Sequence, residues 1–255
     1  MILSKRVALN GAQLDEVDGS IVIRRVDTGT TSETLNAEAM MGGSGQRITG
    51  QHWDMLEVGV SFAIDIPKKQ LTARKAVFDQ VVAWAMQKGW LTVNWMPGKR
   101  MYAEKVIIPS GGDMFEWTNE YTIVFRAYAV PFWQDDTATE AANGSITVPG
   151  NVETVCDAEI ENGSGSTIDT LSISAGGSSM SFTGLGLADG ETLIIDHGED
   201  GLLHIRIYNG AVFRSAMGKR TGGSSDDLYV MPGANAVTVT GGNGSATVSC
   251  YGRYV

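Results

Sequence analysis

All six tryptophans of this chain (Trp53, Trp84, Trp90, Trp95, Trp117 and Trp133) lie in its first 139 residues, although the chain runs to 255. A single uniform core would spread its large aromatic side chains more evenly. The glycines lean the other way, with 12 in the first 139 residues and 20 in the remaining 116. Charge follows the same division. The first stretch carries 14 basic and 16 acidic side chains, the second 5 and 13. Two domains of different construction explain this skew: residues 1–134, a linker over 135–143, and residues 144–255. Each half is long enough to bury a core of its own.

In the first domain the plainest signal is Leu56, Val58, Val60, Phe62, Ile64 and Ile66, an apolar residue at every second position up to Pro67. That is strand periodicity. From Leu71 to Lys88 the period changes. Leu71, Arg74, Lys75, Phe78, Val81, Val82, Ala85 and Met86 recur at helical spacing, with Thr72 as a cap and Gly89 as the stop. Ile21 to Val26 reads as a strand, and Trp90–Met96 and Met101–Ile108 as a hairpin about Pro97-Gly98. A long strand spans Phe115–Tyr128. Between the first two strands, Asp27–Gly45 is polar and lacks either period, so a long loop or arm is expected there. The sum is an α+β domain, antiparallel sheets with one helix.

The second domain shows short alternating runs with turn signals about every ten residues, among them Asn162-Gly163, Asn209-Gly210 and Asn243-Gly244. It contains no helical period. An all-β sandwich of jelly-roll type is expected, making the whole chain mainly β. Cys156 and Cys250 sit near its two ends. A disulfide between them is possible; two buried free thiols are the expected state.

Catalytic and cofactor motifs are missing. There is no nucleophile elbow, no phosphate loop and no dinucleotide fingerprint. The three histidines, His52, His197 and His204, have no metal-ligand spacing. The acidic run around His197 lacks the ligand ladder of a calcium loop and reads as a polar turn. The adjacent Asp226 and Asp227 cannot flank a glycosidic bond from one turn. No catalytic residue, cofactor or metal is therefore assigned, and no enzyme activity is expected. A net charge of −10 opposes specific nucleic-acid binding. No apolar run long enough for membrane insertion and no secretory signal is visible.

Three stretches in order carry a resemblance. Tyr121-Thr122-Ile123-Val124-Phe125-Arg126-Ala127-Tyr128 runs on to Pro131-Phe132-Trp133. Met231-Pro232-Gly233-Ala234-Asn235 precedes a strand, and Tyr251-Gly252-Arg253-Tyr254 closes the chain. With the order of elements before them, the chain resembles the distal tail (Dit) proteins of long-tailed, non-contractile phages and prophages. The resemblance implies a virion structural protein at the tail tip, made in the cytoplasm of a bacterial host. It implies a homohexameric ring, sometimes paired back to back, around a channel for DNA. Galectin-like second domains would project outward. The implied partners are the tail tube protein, a tail-associated hub protein and, in some members, a receptor-binding protein. Arg24, Arg25, Met40, Met41 and Trp53, with the Asp27–Gly45 arm, are the expected subunit contacts. Two alternatives stay open, a carbohydrate-binding sandwich on an assembly domain and a tail tube subunit.

Overall fold

The computed structural model describes residues 5–39, 46–108, 120–142, 144–198, 201–241 and 246–255. The chain divides into two compact units, Met1–Trp133 with Val255, and Gln134–Tyr254.

The first unit begins with β1 (Val7–Leu9) and β2 (Ala12–Gln13), joined through Asn10 and Gly11, both at positive φ. A short helix α1 (Leu14–Val17) follows, then β3 (Ile21–Asp27), β4 (Glu33–Ala39), β5 (Gln46–Trp53) and β6 (Leu56–Ile64). The main helix α2 (Leu71–Ala85) leads to β7 (Gly89–Val93), β8 (Lys99–Ala103), β9 (Lys105–Ile107) and β10 (Glu120–Ala127), and the chain passes into the second unit within β11 (Trp133–Asp135). All described pairings in this unit are antiparallel. One sheet runs β2-β1-β7-β8, a second runs β3-β6-β10-β9, and β4 pairs with β5 alone.

The alternation of β6 is real. Leu56, Val58, Val60, Phe62 and Ile64 are buried, as are Tyr121, Ile123, Phe125 and Ala127 of β10. Helix α2 covers this face. Phe78 packs on Tyr121 with ring centroids 5.0 Å apart, and Trp84 meets Phe125 edge-on at 5.8 Å. The buried stripe is Arg74, Val77, Phe78, Val81, Trp84 and Ala85, rotated from the expected one; Leu71 and Met86 are exposed. Arg74 is wholly buried and donates to the Tyr121 hydroxyl at 3.3 Å. Thr72 does not cap the helix, since Gln70 occupies that position without a side-chain cap bond. Gly89 is not the helix stop either. It opens β7 at φ +147°, and the Asn10 side chain lies against it, donating to the Lys88 carbonyl (2.9 Å) and accepting from the Trp90 amide (3.0 Å). A Cβ at residue 89 would collide with that side chain.

Two further expectations for this unit need correction. The expected arm over 27–45 contains strand β4, paired with β5 in full register apart from one bulge. Of β4, Glu33–Glu38 is mostly exposed, so no apolar alternation marks it. The expected strand Met101–Ile108 breaks at Glu104 into β8 and β9, which belong to different sheets. There the Glu104 carboxylate accepts the Tyr128 and Ala129 amides at 3.2 and 2.7 Å. In the expected strand 115–128, residues 115–119 lie outside the described residues.

In the second unit, β12 (Thr139–Ala142), β13 (Gly144–Val148), β14 (Thr154–Glu161), β15 (Ile168–Ala175) and β16 (Ser178–Leu187) are followed by β17 (Thr192–His197) and β18 (Leu203–Tyr208). Then come β19 (Phe213–Ser215), a 3-10 turn at Met217–Lys219, β20 (Tyr229–Val230), β21 (Gly233–Thr240), β22 (Ala246–Cys250) and β23 (Arg253–Tyr254). One sheet runs β12-β22-β14-β17-β18-β19, with β20 also on β14; the other runs β13-β21-β15-β16. Their inward side chains, such as Ile160, Ile173, Met180, Phe182, Ile195 and Val248, form one buried cluster. Part of the expected linker 135–143 is built into the first of these sheets. Residues 139–142 pair with β22 as an edge strand, half exposed and without apolar residues larger than alanine. In the Met231–Asn235 turn, the Asn235 amide donates to the carbonyls of Met231 (2.7 Å) and Gly233 (2.9 Å).

Candidate assembly surface

Among the described residues, β3 and β9 are the two outer strands of the sheet β3-β6-β10-β9, and neither has a second strand partner. An open edge exposes backbone N–H and C=O groups that another chain can pair with. Arg24 and Arg25 lie on β3. The register to β6 passes from Ile23 opposite Phe62 to Arg25 opposite Ser61, so Arg24 is the extra residue of a bulge. A bulge sharpens the local twist and redirects its side chains. Both arginines are exposed, and Arg25 donates to Asp27 at 3.1 Å.

The face of this sheet opposite α2 mixes polar side chains with the apolar Val22, Ile107 and Val124. Arg126 donates to Glu57 at 2.6 Å across the pair β10–β6, and on the same face, beyond Val124 and Gly59, the Ser61 and Thr122 hydroxyls lie 2.7 Å apart. The Arg126 guanidinium is held above its ordinary pKa by the Tyr128 hydroxyl and the Glu57 carboxylate, its desolvation opposing them. Arg25–Asp27 and Arg126–Glu57 each pair a basic with an acidic side chain here.

Next to that face lies a cleft of about 770 Å³ lined by Asp27, His52, Trp53, Asp54, Glu57 and Tyr128, among others. The Asp54 carboxylate accepts the Ser32 and Thr34 hydroxyls at 2.8 and 3.0 Å, which lowers its pKa. The chain turns into this cleft at Gly29, φ +55°, where a Cβ would overlap the Glu57 carbonyl. Trp53 is half-buried. It stands edge-on to Phe132 at 5.2 Å within its own unit and turns its remaining surface to the cleft. The structure thus brings Trp53 and Asp27 to one cleft, with Arg25 bonded to that aspartate. Met40 and Met41 lie outside the described residues. On the β4–β5 ribbon, Leu35 and Ile48 are 50% and 57% exposed, a feature the polar composition had hidden.

In the second unit, His197 is not in a polar turn. It ends β17 with its side chain 8% exposed. Its Nδ1 lies 2.7 Å from Asp157 and its Nε2 2.8 Å from Asp227. A carboxylate accepts only, so both ring nitrogens carry protons and the ring is an imidazolium. Burial alone would lower its pKa, but the bonds to Asp157 and Asp227 outweigh that and raise it to about 9. Asp227 thus turns inward while Asp226 stays in solvent. No cluster of three or more ligating side chains with metal-site geometry occurs among the described residues. His204 is exposed.

A helix-backed antiparallel sheet followed by a two-sheet sandwich is a fold that one solved phage protein shares. The crystal structure of SPP1 Dit (gp 19.1), described as a paradigm of the hub adsorption apparatus in phages infecting Gram-positive bacteria, matches 98% of this chain and 99% of its own. The TM-score is 0.70 and the sequence identity 11%. Chains from the phage P2 baseplate in its activated conformation, with Ca and with Sr, align over 97% of both chains at TM-score 0.44 and 8% and 9% identity. No family model matches the sequence. No curated protein matches it either.

Proposed function

We propose that this chain is a non-enzymatic structural subunit of a phage tail tip, one of several identical copies closing into a ring around a channel. The observation that carries the reading is the sheet β3-β6-β10-β9, open at both edges among the described residues, in a chain with the fold of SPP1 Dit. Joining the β3 edge of one copy to the β9 edge of the next is a heterologous contact. Such a contact closes a ring when its rotation closes. The face of the sheet away from α2 would then line the channel. Its ion pairs Arg25–Asp27 and Arg126–Glu57 suit a passage that DNA must cross without being held.

In this reading the ribbon β4–β5, with exposed Leu35 and Ile48, reaches a neighbouring copy, and Arg24, Arg25 and Trp53 join that contact. The ring is a hexamer, alone or paired back to back. It joins the tail tube protein on one side and a tail-associated hub protein on the other, with a receptor-binding protein as a further partner of the second unit. Electron microscopy of the purified chain tests this. Rings with a central hole, single or paired, are expected. Long stacked tubes would favour a tail tube subunit, and particles without a hole would refute the ring.

One observation favours a second role for the sandwich. Phe213, 55% exposed, lies beside Tyr208 with ring centroids 4.7 Å apart on the edge pair β18–β19. An exposed aromatic pair of this kind can stack a sugar. Glycan-array binding that disappears in Phe213→Ala would establish it.

A further inference from the structure

Cys156 and Cys250 are direct register partners on the adjacent antiparallel strands β14 and β22. The Cys156 amide donates away from β22, to the Leu228 carbonyl at 2.8 Å. The two cysteines therefore occupy a non-hydrogen-bonded pair, the site type whose Cα atoms approach to about 4.5 Å with side chains closest. That spacing falls within the range a disulfide spans, roughly 4.4–6.8 Å between Cα atoms. Both side chains point into the sandwich core, 0% and 2% exposed, and both are free thiols. They touch one another. The Cys156 thiol is pushed far up by its hydrogen bond to Cys250 and by burial, and that same bond pulls Cys250 down.

We propose that Cys156 and Cys250 are a reversible redox pair that closes into a cross-strand disulfide when the protein meets a small-molecule disulfide oxidant. The Cys250 thiolate attacks the oxidant's disulfide, forming a mixed disulfide and releasing one small thiol. Cys156 then gives up its proton, and its sulfur displaces the second small thiol. Two cysteine thiols are oxidised to one S–S bond, and one oxidant disulfide is reduced to two thiols. Burial restricts the exchange to moments when the sheet opens or the chain is folding. In a reducing medium the pair stays open; in an oxidising one it closes and clasps strands whose cysteines are 94 positions apart (156 to 250). A link across so long a loop removes much freedom from the unfolded chain.

The test refolds the full chain from denaturant in oxidised and reduced glutathione, beside a sample kept in reductant. Expected after refolding are an intact mass lower by about 2 Da, no titratable thiol under denaturing conditions, and no added size on a non-reducing gel. The melting temperature should rise by about 10 °C and return on reduction. Cys156→Ala and Cys250→Ala, each first shown to fold in reductant, should lose the difference. Two titratable thiols after equilibration would overturn the proposal. So would a product made only of glutathione adducts or disulfide-linked dimers.

Discussion

Raising the pH should unfasten the second unit at His197. The ring is wedged between Asp157 on β14 and Asp227 just before β20, with both nitrogens donating at 2.7–2.9 Å. In the unfolded chain an imidazole titrates near 6.5; here the value is raised to about 9. A raised folded-state pKa means stability that is complete below pH 6.5 and lost as the pH climbs through 9. The difference corresponds to about 3 kcal/mol at 1.36 kcal/mol per unit. For a unit of this size that is a fall in melting temperature of roughly 10 °C. The measurement is denaturant unfolding at pH steps from 6 to 10, on the wild type and on His197→Leu. The variant should be weaker by about 3 kcal/mol at pH 6, because it strands two carboxylates against an apolar side chain. Its disadvantage should shrink toward pH 10. Parallel pH profiles for the two proteins would refute a charged His197.

Other perturbations read other parts of the account. Gly29→Ala should cost about 2 kcal/mol or more in unfolding free energy, since it meets both a positive φ and the Glu57 carbonyl. Phe78→Ala should cost about 3–5 kcal/mol by opening a void against Tyr121 between α2 and β10; thermal denaturation by circular dichroism measures both. Met40→Asp with Met41→Asp, and separately Arg24→Glu, should lower the native mass while leaving the melting temperature of the dissociated chain within about 2 °C, and an unchanged mass would remove these residues from the subunit contact.

Legibility in the sequence followed burial. Where one face of a strand meets a core and the other meets water, as in β6 and the described part of β10, the period is plain and the strand lies where it points. The ribbon β4–β5 was missed because its exposed faces put no pattern on polarity. Strand β12 was missed for a related reason, since an edge strand of Thr, Glu and Ala resembles a tether. Glu104 divides the expected strand Met101–Ile108 where it binds amides more than 20 positions away, which no local window contains. Arg74 read as part of a helical stripe, but its complete burial against Tyr121 depends on a strand 47 positions later. The His197 clamp drew on residues 40 and 30 positions distant, so its own neighbourhood suggested only a turn. The chemistry a sequence hides is the chemistry assembled from separate strands.

Light scattering of the purified chain across a concentration series bears most directly on the ring. A plateau at six times the 27.2 kDa chain, about 163 kDa, or at twice that for paired rings, is the predicted result. A mass fixed at 27.2 kDa at every concentration, or one that climbs without a plateau, would contradict a closed ring.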